Sequence, residues 1–204
     1  MSYLEKELDK EGKEVIIDSA IEEELFGSNK ILFTGLSQSG KTSIIQVVFE
    51  GKPPVATTDL RPTVRFTRQQ QALNGFTYLV VDVGGQIAYL DEIFDVLNET
   101  VFKNLAYLFY IVDIADPDKF FQSREYFAKA LSSVEQHSGK AKIFVLAHKM
   151  DLIPEADRER KIEKFKELFY LVNLDNVELH QTSIYEESIF NVLHGILLKE
   201  ELEE

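Results

Sequence analysis

The stretch KILFTGLSQSGKT, Lys30 to Thr42, decides the fold of this chain. It opens with the apolar composition of a buried strand, and from Gly35 onward it matches the pattern G-x-x-x-x-G-K-[ST]. The residues from 41 to about 50 have the apolar spacing of a helix. A strand, a glycine-bounded loop and a helix in this order predict a phosphate-binding loop, because the loop and the helix N-terminus then face one ligand.

The residue types of this loop suit phosphate chemistry. Glycines let the backbone curl so that successive N–H groups point inward, and the helix dipole adds positive potential. Lys41 supplies a positive charge for β and γ phosphates, and the Thr42 hydroxyl is a hard oxygen ligand for Mg²⁺. The predicted nucleotide-binding residues of the loop are Gly35, Ser37, Gln38, Ser39, Gly40, Lys41, Thr42 and Ser43.

A second motif, DVGGQ, lies at Asp82 to Gln86 and ends an apolar strand. Because ligands bind at the carboxyl ends of parallel strands, we expect Asp82 beside the phosphate loop, in the shell of the Mg²⁺ ion. Gly85 has no side chain, so its N–H can approach a γ-phosphate. Gln86 has donor and acceptor atoms that can orient a water in line with that phosphorus.

Strands and helices alternate from residue 30 onward. Asn74-Gly75 is a strong signal for a two-residue hairpin turn. Strands are predicted at 30–35, 63–73, 76–83, 106–114, 142–148 and 177–183, and helices at 41–50, 117–138, 154–171 and 188–203, with 87–103 helical in part. This order predicts a doubly wound α/β fold with a six-stranded, mostly parallel sheet, one antiparallel edge strand and helices on both faces.

Three later segments resemble the Rag branch of the Ras superfamily of small GTPases. They are VFKNLAYLFYIVDI (101–114), KIFVLAHKMDL (142–152) and QTSIYEESIF (181–190), while DVGGQ is similar to the Arf and G-alpha branch. The resemblance covers residues 30 to about 200 and implies a G domain over 28–204. It implies a molecular switch that binds GTP, hydrolyses it slowly to GDP and phosphate with Mg²⁺, and reorders two loops.

The resemblance also implies a threonine in the first of these loops that ligates Mg²⁺ and senses the γ-phosphate. The candidates are Thr57, Thr58 and Thr63, and Thr63 has the placement found in Rag proteins. Lys41, Thr63 and Gln86 are then the predicted catalytic residues. Arg61 precedes Thr63 by two positions, where the G-alpha branch has its arginine three positions before, so a solvated loop arginine is the better interpretation.

The segment HKMD stands where the superfamily usually has N-K-x-D. By this resemblance Asp151 accepts hydrogen bonds from guanine, and the stem of Lys149 lies over the base. His148 replaces the usual asparagine, a departure that Rag GTPases share. Ser183 and Ile184 match a loop that usually reads S-A-K, in which a backbone N–H meets guanine O6.

The composition of the chain excludes some classes of binding partner and some cellular locations. The net charge of −13 argues against nucleic-acid binding and against direct adsorption to anionic lipid, and allows a basic protein partner. No apolar run reaches the roughly 18 to 20 residues of a membrane span, and the start has no signal sequence. The absence of cysteine agrees with a reducing cytoplasm. We expect a cytoplasmic protein without its own membrane anchor, for which any recruitment to a membrane would require a partner.

Residues 1–27 differ from the rest, with nine acidic residues against three lysines, which leaves a net charge of −6. Apolar residues recur there at helical spacing, at Ile16, Ile17, Ala20, Ile21 and Leu25. They predict an acidic N-terminal helical extension. It packs on the following domain or binds a partner, and the pattern leaves both interpretations open.

Alternatives to a hydrolysing switch come from two classes. One is a G domain that holds nucleotide constitutively as a docking scaffold, against which Gln86 weighs. The other is a P-loop kinase or ATPase, which Asp151 disfavours. The implied partners are an effector, a GTPase-activating protein and an exchange factor. Rag GTPases usually carry a further pairing domain, and this chain ends at LLKEELEE. Either a separate protein of the roadblock or longin type replaces that domain or the chain acts as a monomer, and the sequence leaves both interpretations open.

Overall fold

The computed structural model describes residues 5–8, 14–17 and 29–201, with side chains from residue 29 to 198. The strands are β1 (Glu5–Leu8), β2 (Glu14–Ile17), β3 (Lys30–Thr34), β4 (Phe66–Leu73), β5 (Phe76–Val83), β6 (Leu105–Asp113), β7 (Lys142–His148) and β8 (Val177–Thr182). The α-helices are α1 (Lys41–Val48), α2 (Ile87–Asp95), α3 (Asn98–Phe102), α4 (Phe120–His137), α5 (Glu155–Leu168) and α6 (Ser188–Glu201).

Strands β3 to β8 form one sheet in the order β4-β5-β3-β6-β7-β8. Every neighbouring pair is parallel except β4 and β5, which form an antiparallel hairpin. Asn74 and Gly75 at its turn have φ angles of 55° and 89°, as a type I′ turn requires. The predicted fold is confirmed, including the antiparallel edge strand.

Side chains of the central strands alternate between two apolar layers. On β6, Leu108, Tyr110 and Val112 join a cluster with α2, α3, α4 and α5, while Phe109 and Ile111 join a cluster with α1 and α6 on the other face. This alternation follows from the period of two along a strand. Helices therefore cover both faces, and the loops at the carboxyl ends of the strands stay accessible to a ligand.

Several predicted element boundaries shift by one to three residues in the structure. Strand β4 begins at Phe66 and not at residue 63, because Arg65 has a φ of 52°, which an extended strand does not allow. The helix predicted from residue 117 begins as a 3₁₀ turn, Pro117–Lys119, before α4 starts at Phe120. Thr63 therefore lies in a loop before β4, where it is free of the ladder of sheet hydrogen bonds.

The N-terminal prediction needs a correction. Where a helix was expected, β1 and β2 pair as an antiparallel hairpin, with Glu5 opposite Ile17 and Leu8 opposite Glu14. Val15, Ile16 and Ile17 are consecutive β-branched residues, and such residues favour strands over helices. Ala20, Ile21 and Leu25, the other residues of the predicted stripe, lie outside the described residues. Helices long and apolar enough to cross a membrane are absent from the described part of the chain.

Candidate nucleotide-binding site

The phosphate loop closes around the ammonium group of Lys41. Its Nζ donates hydrogen bonds to the carbonyl oxygens of Gly35 and Leu36, both at 2.8 Å. The side chain is buried, and burial lowers its pKa to about 8, partly offset by the charge of Asp82. A cation held inside a curled loop, with little water around it, is a fixed counter-charge for phosphate.

Gly35 makes the close turn of this loop. Its φ is 136°, and a Cβ there would lie 2.2 Å from the carbonyl oxygen of Ile111 on the adjacent strand. Only glycine fits both conditions. Of the other predicted phosphate-binding residues, Ser39 is buried, Ser37 and Ser43 are half-buried, and Gln38 is exposed.

Three oxygen atoms meet at the end of the loop where Mg²⁺ is predicted. The Thr42 hydroxyl donates to Asp82 Oδ2 at 2.6 Å, the Thr63 hydroxyl donates to the same oxygen at 3.1 Å, and the two hydroxyls lie 3.1 Å apart. Two hydroxyls and a carboxylate are hard ligands of the kind that Mg²⁺ takes in phosphate sites. The donor set therefore fits a magnesium ion.

The structure distinguishes among the three candidate threonines. The hydroxyls of Thr57 and Thr58 donate to the carbonyl oxygens of Pro54 and Val55 within their own 3₁₀ turn. Only Thr63 of the three reaches Asp82. Arg61 lies exposed in the same loop.

The two glycines of DVGGQ contact two other loops, the loop that contains Thr63 and the phosphate loop. Gly84 N–H donates to Arg65 O at 2.6 Å, and a Cβ on Gly84 would lie 2.4 Å from Thr63 O. Gly85 O accepts from Ser37 N–H at 2.7 Å, and a Cβ on Gly85 would lie 2.3 Å from Ser37 N. Both positions need glycine because backbone approaches them closely.

Gln86 is placed at the start of α2 with its side chain exposed. Its backbone carbonyl accepts from Tyr89 and Leu90 in the first turn of that helix. The structure thus brings Lys41, Thr63 and Asp82 together, and it leaves Gln86 beside them at the surface.

His148, the last residue of β7, packs between the phosphate loop and Thr182 at the end of β8. Gly40 has a φ of 105°, and a Cβ there would lie 2.7 Å from His148 Cδ2, so the imidazole packs under the loop. The other side of the ring, Nδ1, lies 2.9 Å from the hydroxyl of Thr182. Burial first, and then the charge of Lys149, lower the pKa of His148 to about 4. The ring is therefore neutral near pH 7.

Lys149 and Asp151 hold the loop that follows β7. Lys149 has a φ of 65°, and its Nζ donates to Gln38 O at 2.8 Å and to Asp113 Oδ2 at 2.6 Å, so its stem crosses toward the phosphate loop. Asp151 Oδ1 accepts a hydrogen bond of 2.5 Å from the hydroxyl of the buried Ser183. Ile184 follows, partly buried.

Asp113 and Thr182 are site residues that sequence reasoning missed. Each ends a strand at the carboxyl edge of the sheet, Asp113 on the buried β6 and Thr182 on the partly exposed β8, and each contacts a predicted site residue. A polar residue that terminates a strand at this edge is the signal that would have found them.

The fold and this site define the class of small GTPases with a P-loop fold. The family model described as the Gtr1/RagA G protein conserved region matches residues 30–199. The chain belongs to the Gtr1/RagA family of G proteins.

Curated relatives agree with this assignment, and a solved structure has the same fold. GTP-binding protein GTR1 of Saccharomyces cerevisiae is 30% identical over 180 residues, covering 82% of this chain and 56% of that protein. Ras-related GTP-binding protein A of Dictyostelium discoideum is 28% identical over 170 residues, with the same coverage. The chain therefore spans about half the length of the curated relatives it matches. The Arl6 BBS3 small GTPase from Trypanosoma brucei, solved with the nucleotide analogue GppNp, has the same fold, with a TM-score of 0.65, 18% identity, and coverage of 86% of this chain and 98% of that one.

Proposed function

We propose that this protein is a molecular switch that binds GTP and hydrolyses it to GDP and phosphate with Mg²⁺. The observation that carries the proposal is the meeting of Thr42, Thr63 and Asp82 within 3.1 Å of one another, beside the buried ammonium of Lys41. This arrangement offers oxygen ligands for the metal ion and a positive charge for the phosphates of a metal-bound triphosphate. The two relatives GTR1 and the Dictyostelium protein are GTP-binding proteins, which supports guanine nucleotide as the ligand.

The phosphate end of the site has three tasks in this proposal. Lys41 and the inward N–H groups of the loop bind the β and γ phosphates. Thr42, Thr63 and Asp82 would hold Mg²⁺, and the ion would supply positive charge next to the phosphate oxygens. Gln86 swings from the surface to orient the attacking water. Intrinsic turnover is slow, roughly 10⁻⁴ to 10⁻² s⁻¹, because no arginine from a partner protein stabilises the transition state.

The base end selects guanine. Asp151, fixed by the Ser183 hydroxyl, pairs with the N1 and exocyclic N–H groups of guanine. Adenine lacks this pair of donors and leaves the carboxylate without partners, which costs much of the binding energy. Ile184 offers its backbone N–H to O6, and the stem of Lys149 covers the base.

Partners complete the switch. We propose that an effector, a GTPase-activating protein and an exchange factor act on the loops around Thr63 and Gln86, and that a separate protein of the roadblock or longin type provides pairing. Recruitment to a membrane is made by such a partner, because a net charge of −13 repels anionic lipid.

Nucleotide competition with Asp151→Asn tests the base site. Labelled GTP in Mg²⁺ is competed with GDP, ATP and XTP for the wild type, for Asp151→Asn and for Asp157→Asn, whose carboxylate pairs with Arg160 on the exposed face of α5. GDP should compete and ATP should not, and only Asp151→Asn should turn to XTP, because the amide offers the donor that xanthine requires. Equal competition by ATP in the wild type would contradict the proposed guanine site.

A further inference from the structure

Arg158 contacts both loops of the base site without being part of either. It lies in the first turn of α5, and its Nε donates to the carbonyl oxygen of Ile153 at 3.2 Å. Its Nη2 donates to Glu186 Oε1 at 2.9 Å. Ile153 follows Asp151 by two positions, and Glu186 follows Ile184 by two. One guanidinium therefore ties the loop after β7 to the loop after β8.

The loop after β8 is held at its beginning by other bonds. The Ser183 hydroxyl donates to Asp151 and accepts from Tyr185 N–H at 3.0 Å, and Ser183 N–H donates to Ser188 Oγ at 3.0 Å. These contacts hold Ser183 at one end of the short segment that contains Ile184. The ion pair of Glu186 with Arg158 anchors the other end.

The chemistry of the contact suits a clamp. The guanidinium is planar and permanently charged, so it can hold a backbone carbonyl and a carboxylate together in a fixed geometry. The Arg158 and Glu186 side chains are 31% and 35% exposed, so water and salt screen the pair less than they screen an ion pair at the open surface. A loop without such a tie loses backbone entropy when it binds a ligand.

We infer that Arg158 is a positioning residue for the base. It holds the segment from Ser183 to Glu186 so that Ile184 N–H is already placed for O6 of guanine, and it thereby slows nucleotide release. This inference rests on the proposed function, because it assigns the clamp to the same guanine site.

Dissociation rates of GDP test the clamp. Release of a fluorescent GDP is followed for the wild type, for Arg158→Met and for Arg160→Met, which loses an ion pair at the exposed face of the same helix. Arg158→Met should release GDP about tenfold faster, the effect of one charge-assisted hydrogen bond. Arg160→Met should stay within about twofold of the wild type, as expected for an exposed pair. Arg158→Lys keeps a charge for Glu186 and should lie between the wild type and Arg158→Met.

Two further measurements separate positioning from general loosening of the fold. The variant with both Arg158→Glu and Glu186→Arg should recover part of the slow release. Affinities are also compared for GDP, for IDP, which keeps O6, and for 2-aminopurine riboside diphosphate, which lacks it. Arg158→Met should weaken GDP and IDP by the same factor and leave the 2-aminopurine nucleotide unchanged.

An equal loss for all three nucleotides, or release from Arg158→Met at the wild-type rate, would overturn the clamp and leave the proposed function standing. Failure of the wild type to bind GDP would overturn both. The experiment therefore distinguishes a wrong assignment of Arg158 from a wrong assignment of the site.

Discussion

His148 connects the two ends of the site through shape. Its ring fills the space under Gly40, so that any side chain at that position would meet the imidazole. Thr182 fixes the ring from the other side. The amide of asparagine has more hydrogen-bonding atoms than a neutral imidazole, but the imidazole fills more volume. Packing against the loop is therefore the main contribution that this histidine makes.

The buried ring makes stability depend on pH. The pKa of His148 falls from its ordinary value of 6.5 to about 4 in the folded chain. The unfolded chain then binds a proton over a pH range in which the folded chain does not, so this contribution to stability is complete above about pH 6.5 and is lost as the pH falls toward 4. Between pH 7 and pH 5 the free energy of unfolding should fall by about 2 kcal/mol from this residue.

Urea unfolding of the wild type and of His148→Asn, both with GDP at the same saturation, measures this contribution. Other titrating groups contribute equally to both proteins, so the difference between their pH profiles isolates the ring. Parallel profiles between pH 7 and pH 5 would show that the histidine is not buried as a neutral group.

Gln86 is the residue whose role requires movement, because its side chain is exposed at the start of α2. Gln86→Leu removes the atoms that orient water, and single-turnover hydrolysis of GTP should slow by about 10- to 100-fold. Binding of GTP should change by less than about twofold, because the phosphate and metal contacts remain. Gln70→Leu, at an exposed glutamine on β4, serves as the control. Hydrolysis by Gln86→Leu at the wild-type rate would overturn the role assigned to Gln86, whereas negligible hydrolysis by the wild type with tightly bound nucleotide would favour the docking scaffold.

At the scale of elements, the central strands supply the rigid support for the loops. Phe109 on β6 stacks between Phe33 on β3 and Phe144 on β7, with ring centroids 5.1 Å and 5.2 Å apart. Strands β3 and β6 continue into the phosphate loop and into Asp113. Packing of these rings therefore fixes the relative positions of the loops that carry the predicted nucleotide-binding residues.

Phe109→Ala should lower the free energy of unfolding by about 3 to 5 kcal/mol, the usual cost of a cavity left by a buried phenylalanine. Phe121→Ala on α4 is the matched control, since its ring is 59% exposed, and it should change the free energy by less than about 0.5 kcal/mol. Urea denaturation measures both. Equal effects of the two variants would mean that the aromatic stack does not support the sheet.

Comparison of the predicted and observed elements shows which sequence patterns predict local structure and which do not. The hairpin at Asn74-Gly75 was predictable because its turn residues meet a local requirement for positive φ. The pattern predicts a strand from residue 63, but Arg65 has a positive φ, so the strand begins at Phe66 and Thr63 lies in the preceding loop, where it contacts Asp82. For Ile16 and Ile17, helical spacing and β-branching pointed in opposite directions, and the structure has a strand.

At the scale of the whole molecule, a chain with a net charge of −13 binds an anionic ligand only where local positive groups overcome the global field. The phosphate loop provides such groups with Lys41, the helix N-terminus and the backbone N–H groups. Residues 1–27 carry a net charge of −6 and lie before the segment that matches the family model. We therefore propose that they form an extension separate from the G domain of residues 28–204.

Removal of residues 1–27 should leave the affinity for GDP within about threefold of the full chain, because the binding groups lie elsewhere and distant surface charges are screened by salt. Titration of fluorescent GDP at 0.15 M salt measures both proteins. A loss of binding after removal would mean that this segment belongs to the folded G domain.

The sequence by itself determined the strand–loop–helix order around the phosphate loop, the position of the DVGGQ motif and the order of strands and helices, and it predicts Asp151 as the residue that selects guanine. These depend on local patterns of a few residues, and local backbone geometry follows from residue type. The contact of Thr63 with Asp82, the packing of His148 against Gly40, and the contacts of Asp113, Thr182 and Arg158 were decided only by the tertiary structure. Each of them is a contact between residues far apart along the chain, and such contacts are set by how the strands and helices pack in three dimensions.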